Sequence, residues 1–209
     1  MINLIVWAAD VGSVRRNCFG WCRASWQRES VGTTTGTDIL AFANGVADDL
    51  SDGKKVAIGF ECPLFVPVAD DPLFLTSARQ GEGNRAWSAS AGAAALATGL
   101  AECVWIFEKI RLLAGVPIQP TFSWEKLLSQ EANLFIWEAF VSGSSKASSH
   151  RGDAETATRT FWAEYPEIAK ANAVTAQNPY SLVGAALLRS GLTTDLSVLS
   201  EQCIVIKSQ

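Results

Sequence analysis

The stretch Leu4–Asp10 reads LIVWAAD, a continuous apolar run that ends in an acid. A run without polar alternation predicts a strand that is buried on both faces of a sheet. Residues 56–60 (VAIGF) repeat the pattern and are followed by Glu61. Between the two runs, residues 39–50 carry apolar side chains at helical spacing and begin after Asp38, a favourable N-cap. A strand, a crossover helix and a second strand predict a parallel pair in one sheet.

Two more strands are predicted between the opening strand and this helix. Residues 18–26 (CFGWCRASW) are rich in aromatic side chains, residues 29–35 follow them, and residues 14–17 form a polar turn before them. Strands joined by short turns predict an antiparallel meander. The remaining predicted elements are an irregular segment at 62–84, a helix at 88–113, a strand at 134–141, a helix at 152–165, a helix from the N-cap Asn178 to Arg189, and a strand at 203–206. This order predicts a single α/β domain over residues 1–209, with an irregular loop at 62–84.

Composition narrows the class of protein. The chain of 209 residues is 48% hydrophobic and 18% charged, with a formal net charge of -4, which excludes wholesale disorder. The acidic balance does not favour a broad nucleic-acid footprint, although a local basic groove is compatible with it. The N-terminus lacks a basic region, so no signal peptide is predicted. The apolar stretch 89–107 is rich in alanine and contains Glu102, so we predict a buried helix and no membrane partner.

The cysteines and the histidine argue against two kinds of site. The five cysteines are odd in number and form no CxxC pair, and His150 is the only histidine. A zinc site and a disulfide framework are therefore not predicted. Reduced cysteines indicate the cytoplasm. Nothing in the sequence indicates an oligomeric state.

Acidic side chains mark the candidate site. Asp10 and Glu61 each follow a buried strand, and ligands in α/β sheets gather at the carboxyl ends of strands. Two converging carboxylates repel each other unless a cation lies between them, and Mg²⁺ or Mn²⁺ prefers such oxygen ligands. The alternative is that both acids only end their strands in solvent. Glu138 lies inside an apolar strand, where a carboxylate needs a partner or a metal. Asp153 opens a helix, which the helix dipole alone would explain.

Basic side chains occur in two irregular segments. Arg79 lies among glycines in the segment 62–84, and Arg85 directly follows this segment. A flexible loop with two guanidinium groups suits a ligand that carries phosphate. We expect this segment to cover the mouth of the acidic site. The alternative is a passive surface loop. A second basic cluster lies on a serine-rich loop, with a solvated turn as its alternative, and consists of Lys146, His150 and Arg151.

The ordered set of motifs resembles a known family. The sequences WAADVGS at 7–13, CFGW at 18–21, IGFECPL at 58–64 and FIWEAF at 135–140 resemble the predicted RNase H-like nucleases of the RNase H-like superfamily. The resemblance implies a βββαβαβα core with a mixed five-stranded sheet flanked by helices. It also implies a two-metal acidic cluster in which Asp10 bridges both ions, Glu61 holds one and Glu138 is a further ligand.

The reaction implied is two-metal phosphodiester hydrolysis, in which one Mg²⁺ or Mn²⁺ ion activates water and the other stabilises the leaving oxygen. Arg79, Arg85 or Lys146 would bind phosphate of a nucleic acid or of a small phosphoester. The chain departs from the family at residues 177–181 (QNPYS), where the last helix of the family begins with acids. Asn178 adds no charge there, and Asp153 is the residue that would substitute as a catalytic acid.

Two other function classes remain open. A catalytically weak or inactive binding module with an RNase H fold is consistent with the acidic charge and the absent acid. The segment DVGS at 10–13 also resembles the first phosphate loop of actin-like ATPases and sugar kinases. Those proteins need a duplicated domain, for which this chain is too short. A metal-dependent hydrolase acting on phosphodiester bonds is therefore the favoured class.

Overall fold

The computed structural model describes residues 3–27, 30–84 and 86–208. The strands and helices follow the predicted order, with additional short elements between them. In chain order they are β1 (Leu4–Asp10), β2 (Gly20–Gln27), β3 (Ser30–Gly36), α1 (Ile39–Ser51), β4 (Lys55–Phe60), β5 (Phe65–Pro67), α2 (Ser90–Leu113), β6 (Pro120–Thr121), α3 (Trp124–Leu128), β7 (Leu134–Phe140), α4 (His150–Glu164), β8 (Pro179–Ser181), α5 (Leu182–Ser190) and β9 (Ile204–Lys207).

The main sheet is mixed, and helices flank it. Its strand order is β3-β2-β1-β4-β7-β6, and β9 also pairs with β7. β1 and β2 are antiparallel, as are β2 and β3, whereas β1, β4 and β7 run parallel. The α/β class and the parallel pairing of the first and fourth strands are therefore confirmed. As a consequence, the carboxyl ends of β1, β4 and β7 meet at one edge.

Seven strands form this sheet in the described residues, rather than the five that the family resemblance implies. The two additional strands both pair with β7, which is buried along most of its length. β6 is only two residues long, Pro120–Thr121, and β9 is the predicted C-terminal strand. The segment 62–84 is also less irregular than expected, because β5 pairs with β8 and Gln80 forms a bridge with Thr175.

The predicted start of the last helix is wrong. Asn178 is not its N-cap, because Pro179–Ser181 is extended and pairs with β5. The helix α5 begins at Leu182, and its N-cap is Ser181, whose hydroxyl accepts from Gly184 N at 3.1 Å. Serine caps a helix as well as asparagine does, so the strand pairing decides between the two starts.

The core lies on both faces of the sheet. Along β1, Ile5 and Trp7 pack into the layer that contains α1, α2 and α5. Leu4 and Val6 pack into the opposite layer, where α4 contributes Phe161. A strand buried on both faces is what the run LIVWAAD predicts.

Among the described residues, one helix is long and apolar enough to cross a membrane by length and composition, α2. Core helices of soluble proteins share these properties. The C-terminal half of α2 packs into the core through Cys103, Ile106, Phe107 and Ile110. Its N-terminal half is partly exposed, so the prediction of a buried helix holds for the second half only.

Candidate functional site

Asp10 and Glu61 are placed side by side by the parallel ladder of β1 and β4. Asp10 is the last residue of β1, and Glu61 directly follows β4. The backbone amide of Glu61 donates to the carbonyl of Ala9 at 2.8 Å, which extends the ladder to the two acids. Both carboxylates therefore lie at the edge where the strands end, as the sequence predicts.

A third carboxylate comes from α4, and a glycine permits its approach. Gly20 pairs with Asp10 in the β1–β2 register. A Cβ at Gly20 would lie 2.4 Å from the backbone carbon of His150, so the start of α4 contacts β2 only because residue 20 has no side chain. Asp153 is thereby brought to the strand ends. One oxygen each of Asp10, Glu61 and Asp153 lies within 4.8 Å of the others, and we call these three residues the acidic triad.

Lys146 joins two members of the acidic triad. Its Nζ donates to Glu61 Oε1 at 2.8 Å and to Asp153 Oδ2 at 2.8 Å. The backbone amide of Ala147 donates to Asp153 Oδ1 at 2.6 Å. Lys146 is thus turned toward the carboxylates, rather than out into solvent as a free phosphate contact.

The remaining oxygens of the triad have different environments. His150 Nδ1 lies 2.5 Å from Asp10 Oδ2, so one ring nitrogen of the only histidine is bonded to the site. Glu61 Oε2 is buried and has no hydrogen-bond partner among the residues that the structure describes. A buried carboxylate oxygen without a partner is unfavourable, and a cation or a proton would relieve this cost.

Burial is the largest influence on the pKa values of Asp10 and Glu61. Burial raises the pKa of Asp10, although the hydrogen bond from His150 opposes the shift. Burial, followed by the charge of Asp10, raises the pKa of Glu61 to about 8. For Lys146 burial would lower the pKa, but the hydrogen bonds to Asp153 and Glu61 outweigh it, so the pKa is raised. The carboxylates of Asp10 and Glu61 therefore need positive charge nearby to be fully ionised near neutral pH.

Glu102 is an acid that the sequence prediction did not place in the site. Its Oε2 accepts from the backbone amide of Gly12, two residues after Asp10, at 3.4 Å. Burial raises the pKa of Glu102 to about 7. Its position in the sequence could have identified it, because Glu102 lies inside the apolar stretch 89–107. Burial of a carboxylate in such a stretch is unfavourable in free energy unless the carboxylate has a partner.

Glu138 lies in a separate network beside the acidic triad. Its carboxylate accepts from Arg79 Nη2 at 2.7 Å and from Nη1 at 2.8 Å, and from the backbone amide of Leu64 at 2.9 Å. Arg79 also donates to Glu82 Oε1 and lies over the ring of Phe65. Both partners of the Arg79–Glu138 pair are at most 3% exposed. The carboxylate predicted as a third metal ligand is therefore neutralised by an arginine of the chain.

The same network uses the hydrogen-bond donors of the Arg79 guanidinium. Its guanidinium donates to Glu138, Glu82 and the carbonyl of Phe65. It does not extend into the mouth of the site as a free group for a phosphate. Of the other predicted phosphate contacts, Arg85 lies outside the described residues. Arg151, a member of the second basic cluster, is exposed at the start of α4.

A cavity of about 440 Å³ lies next to the triad. Asp10, Glu61 and Lys146 line one side, and the Arg79–Glu138 pair also borders it. Small side chains at the start of α2 and the end of β7 form its apolar walls, and they include Ala89, Ala91, Gly92, Ala95, Ala139 and Val141. The segment 62–84 contributes Cys62, Pro63, Glu82 and Asn84. This segment therefore borders the cavity, and its role in covering the mouth of the site stays a prediction. The cavity is of the size that holds small ligands.

Asn178 is placed away from the triad by the β5–β8 pairing. Its side-chain amide donates to the carbonyl of Val68 at 3.0 Å. In contrast, Asp153 lies in the acidic triad.

Comparisons of this chain with protein-family models, with curated proteins and with solved structures gave no match.

Proposed function

We propose that the chain is a metal-dependent phosphodiesterase or nuclease of the RNase H-like type, with the acidic triad as its Mg²⁺ or Mn²⁺ site. The observation that carries the proposal is the convergence of Asp10, Glu61 and Asp153 from three separate elements within 4.8 Å. The order βββαβαβα of the main elements, which the family resemblance implies, supports it.

The donor set fits a hard divalent cation. Carboxylate oxygens are the ligands that Mg²⁺ and Mn²⁺ prefer. Within the described part of the chain, the buried oxygen Glu61 Oε2 has no hydrogen-bond partner, so it is a favourable ligand atom. Asp10 and Glu61 would hold the ion, and Asp153 would add a third negative charge to the site. A divalent ion bound there would supply a water of lowered pKa and polarise a phosphoryl oxygen.

The other residues of the site would act around that ion. His150 holds Asp10 Oδ2 and thereby leaves the other oxygen of Asp10 for an ion. The cavity beside the triad would receive the group attached to the phosphate. Its volume suits a nucleotide-sized group, so the substrate classes remain a nucleic acid and a small phosphoester. We also propose a cytoplasmic location, on the basis of five free cysteine thiols.

Hydrolysis of phosphodiester probes tests the proposal. Purified parent protein and the Glu61→Gln variant would be assayed on single-stranded DNA, single-stranded RNA, duplex DNA and bis(4-nitrophenyl) phosphate, with Mn²⁺ and with EDTA. We expect cleavage of at least one probe by the parent with Mn²⁺, and its loss in EDTA and in Glu61→Gln. The matched control is Glu201→Gln, an exposed acid outside the triad, which should keep parental activity.

The second candidate is a binding module that has lost catalysis. The observation that favours it is Lys146, because its ammonium group already neutralises charge on Glu61 and Asp153. Binding of a nucleic acid without cleavage of any probe, in the presence of Mn²⁺, would support the module and contradict the hydrolase.

A further inference from the structure

Lys146 Nζ lies between the carboxylates of Glu61 and Asp153, in a position where a metal ion would otherwise bind. Its Nζ lies 2.8 Å from Glu61 Oε1 and 2.8 Å from Asp153 Oδ2. These contacts join residues that lie 85 and 7 positions away in the sequence, so they depend on the tertiary fold. The position of the Lys146 ammonium group is therefore fixed by its contacts with Glu61 and Asp153 in the folded protein, and not by residues of the loop that carries it.

The loop that carries Lys146 is fixed at both ends. The backbone amide of Ala147 donates to Asp153 Oδ1, and Ser149 caps α4 by accepting from Gly152 N at 3.2 Å. The backbone amide of Lys146 donates to the carbonyl of Gly143 in a 3-10 turn. The main chain on both sides of Lys146 is thus hydrogen-bonded, which directs the side chain toward the triad.

The oxygens of the triad divide into two groups. Glu61 Oε1 and Asp153 Oδ2 accept from Lys146, and Asp153 Oδ1 accepts from Ala147. Among the described residues, neither Glu61 Oε2 nor the oxygen of Asp10 that faces away from His150 has a hydrogen-bond partner. The free oxygens therefore belong to Asp10 and Glu61, which lie at the ends of β1 and β4.

The sum of the charges in the site also favours a single divalent ion. The ionised triad carries three negative charges, and Lys146 supplies one positive charge. One divalent ion would complete the neutralisation, because Glu138 is already paired with Arg79. A second divalent ion would have to share Glu61 and Asp153 with an ammonium group at hydrogen-bond distance, which like-charge repulsion opposes.

We propose that Lys146 is a built-in cation of the site, so that the triad takes one divalent ion, on Asp10 and Glu61, rather than two. This inference rests on the proposed function, and it specifies the metal content of the same site. In this arrangement Lys146 is a positioning residue. It keeps Asp153 and one oxygen of Glu61 fixed while the other oxygen of Glu61 holds the ion.

Calorimetric titration with Mn²⁺ alone tests the inference without any need for activity. We expect one ion per chain for the parent and for Lys146→Arg, which keeps the charge. We expect two ions per chain for Lys146→Met, because the side of the site at Glu61 and Asp153 then lacks its cation. Lys170→Met is the matched control, since Lys170 pairs with Glu167 on the surface, and it should bind one ion.

Lys146 is 41% exposed, so the variants are expected to fold, and thermal unfolding would verify this. Lys146→Gln replaces Lys146→Met if the latter precipitates. Two ions on the parent, or one ion on both Lys146→Met and Lys146→Gln, would overturn the inference while leaving a metal site in place. Absence of Mn²⁺ binding by the parent and by every variant would instead overturn the metal site itself, and the inference with it.

Discussion

Arg79 and Glu138 form a buried ion pair across 59 residues of sequence, through two hydrogen bonds of 2.7 and 2.8 Å. Removing one partner of such a pair leaves an uncompensated buried charge, which costs about 3–5 kcal/mol. We therefore expect Arg79→Ala to lower the free energy of unfolding by about this amount. Urea denaturation of the parent and the variant at pH 7 measures the change.

The matched control is Arg189→Ala. Arg189 pairs with Glu108 on the surface, where its side chain is 73% exposed. Such a pair contributes about 0–1 kcal/mol. Equal destabilisation by the two variants would show that burial of Arg79 does not matter to its contribution.

Asp10→Asn should have opposite effects on metal binding and on the stability of the metal-free protein. Asp10 lies beside Glu61, and burial raises the pKa of both carboxyl groups. Replacing Asp10 by a neutral amide relieves their repulsion, so we expect a higher melting temperature without metal and weaker Mn²⁺ binding. Differential scanning calorimetry and Mn²⁺ titration measure the two effects. Asp70→Asn, at an exposed acid outside the triad, should change neither.

The titration of Glu61 should make both the stability of the protein and its affinity for Mn²⁺ depend on pH. Burial and the charge of Asp10 raise the pKa of Glu61 from its ordinary value of 4.5, which applies in the unfolded chain, to about 8 in the folded protein. Between these values the folded state binds more protons than the unfolded state, so the stability contributed by this group falls as pH rises from 4.5 to 8. Because a divalent ion needs the ionised carboxylate, Mn²⁺ affinity should rise over the same range, with release of a proton.

Titrations at pH 6, 7 and 8.5 in buffers of different ionisation enthalpy would measure both the affinity and the released proton. Glu61→Gln should flatten the dependence of stability on pH, because the amide does not titrate. An Mn²⁺ affinity of the parent that is constant from pH 6 to 8.5 would argue against Glu61 as a ligand.

Gly20 should be required for the site, although it carries no functional group. A Cβ at this position would lie 2.4 Å from the backbone of His150, so Gly20→Ala must displace the start of α4. We expect a loss of about 1–3 kcal/mol of stability, the usual cost of overpacking, and weaker Mn²⁺ binding because Asp153 moves with the helix. Gly32→Ala is the control, since the described atoms nearest to its Cβ belong to the flexible end of the Gln27 side chain. Similar Mn²⁺ affinities for the two variants would contradict this role of Gly20.

The parts of the site that lie on strand ends were predictable from the sequence. Asp10 and Glu61 each end an unbroken apolar run, and two such runs separated by a helix form a parallel pair whose ends meet. Asp153 was identified as a candidate, but its place depends on the close approach of Gly20 to His150, and nothing in the sequence reveals that contact. The binding partner of Glu138 was not predictable either. Arg79 reaches it from a segment without periodicity, and periodicity is what sequence analysis detects.

The position of a bound Mn²⁺ ion tests the central claim most directly. Crystals of the parent protein grown with Mn²⁺ would be measured at the manganese absorption edge, and an anomalous difference map would locate each ion. We expect one peak in contact with the carboxylates of Asp10 and Glu61, with Lys146 Nζ still between Glu61 and Asp153. A map with no peak at the acidic triad under saturating Mn²⁺, or with peaks only elsewhere on the chain, would contradict the claim that these carboxylates form a divalent metal site.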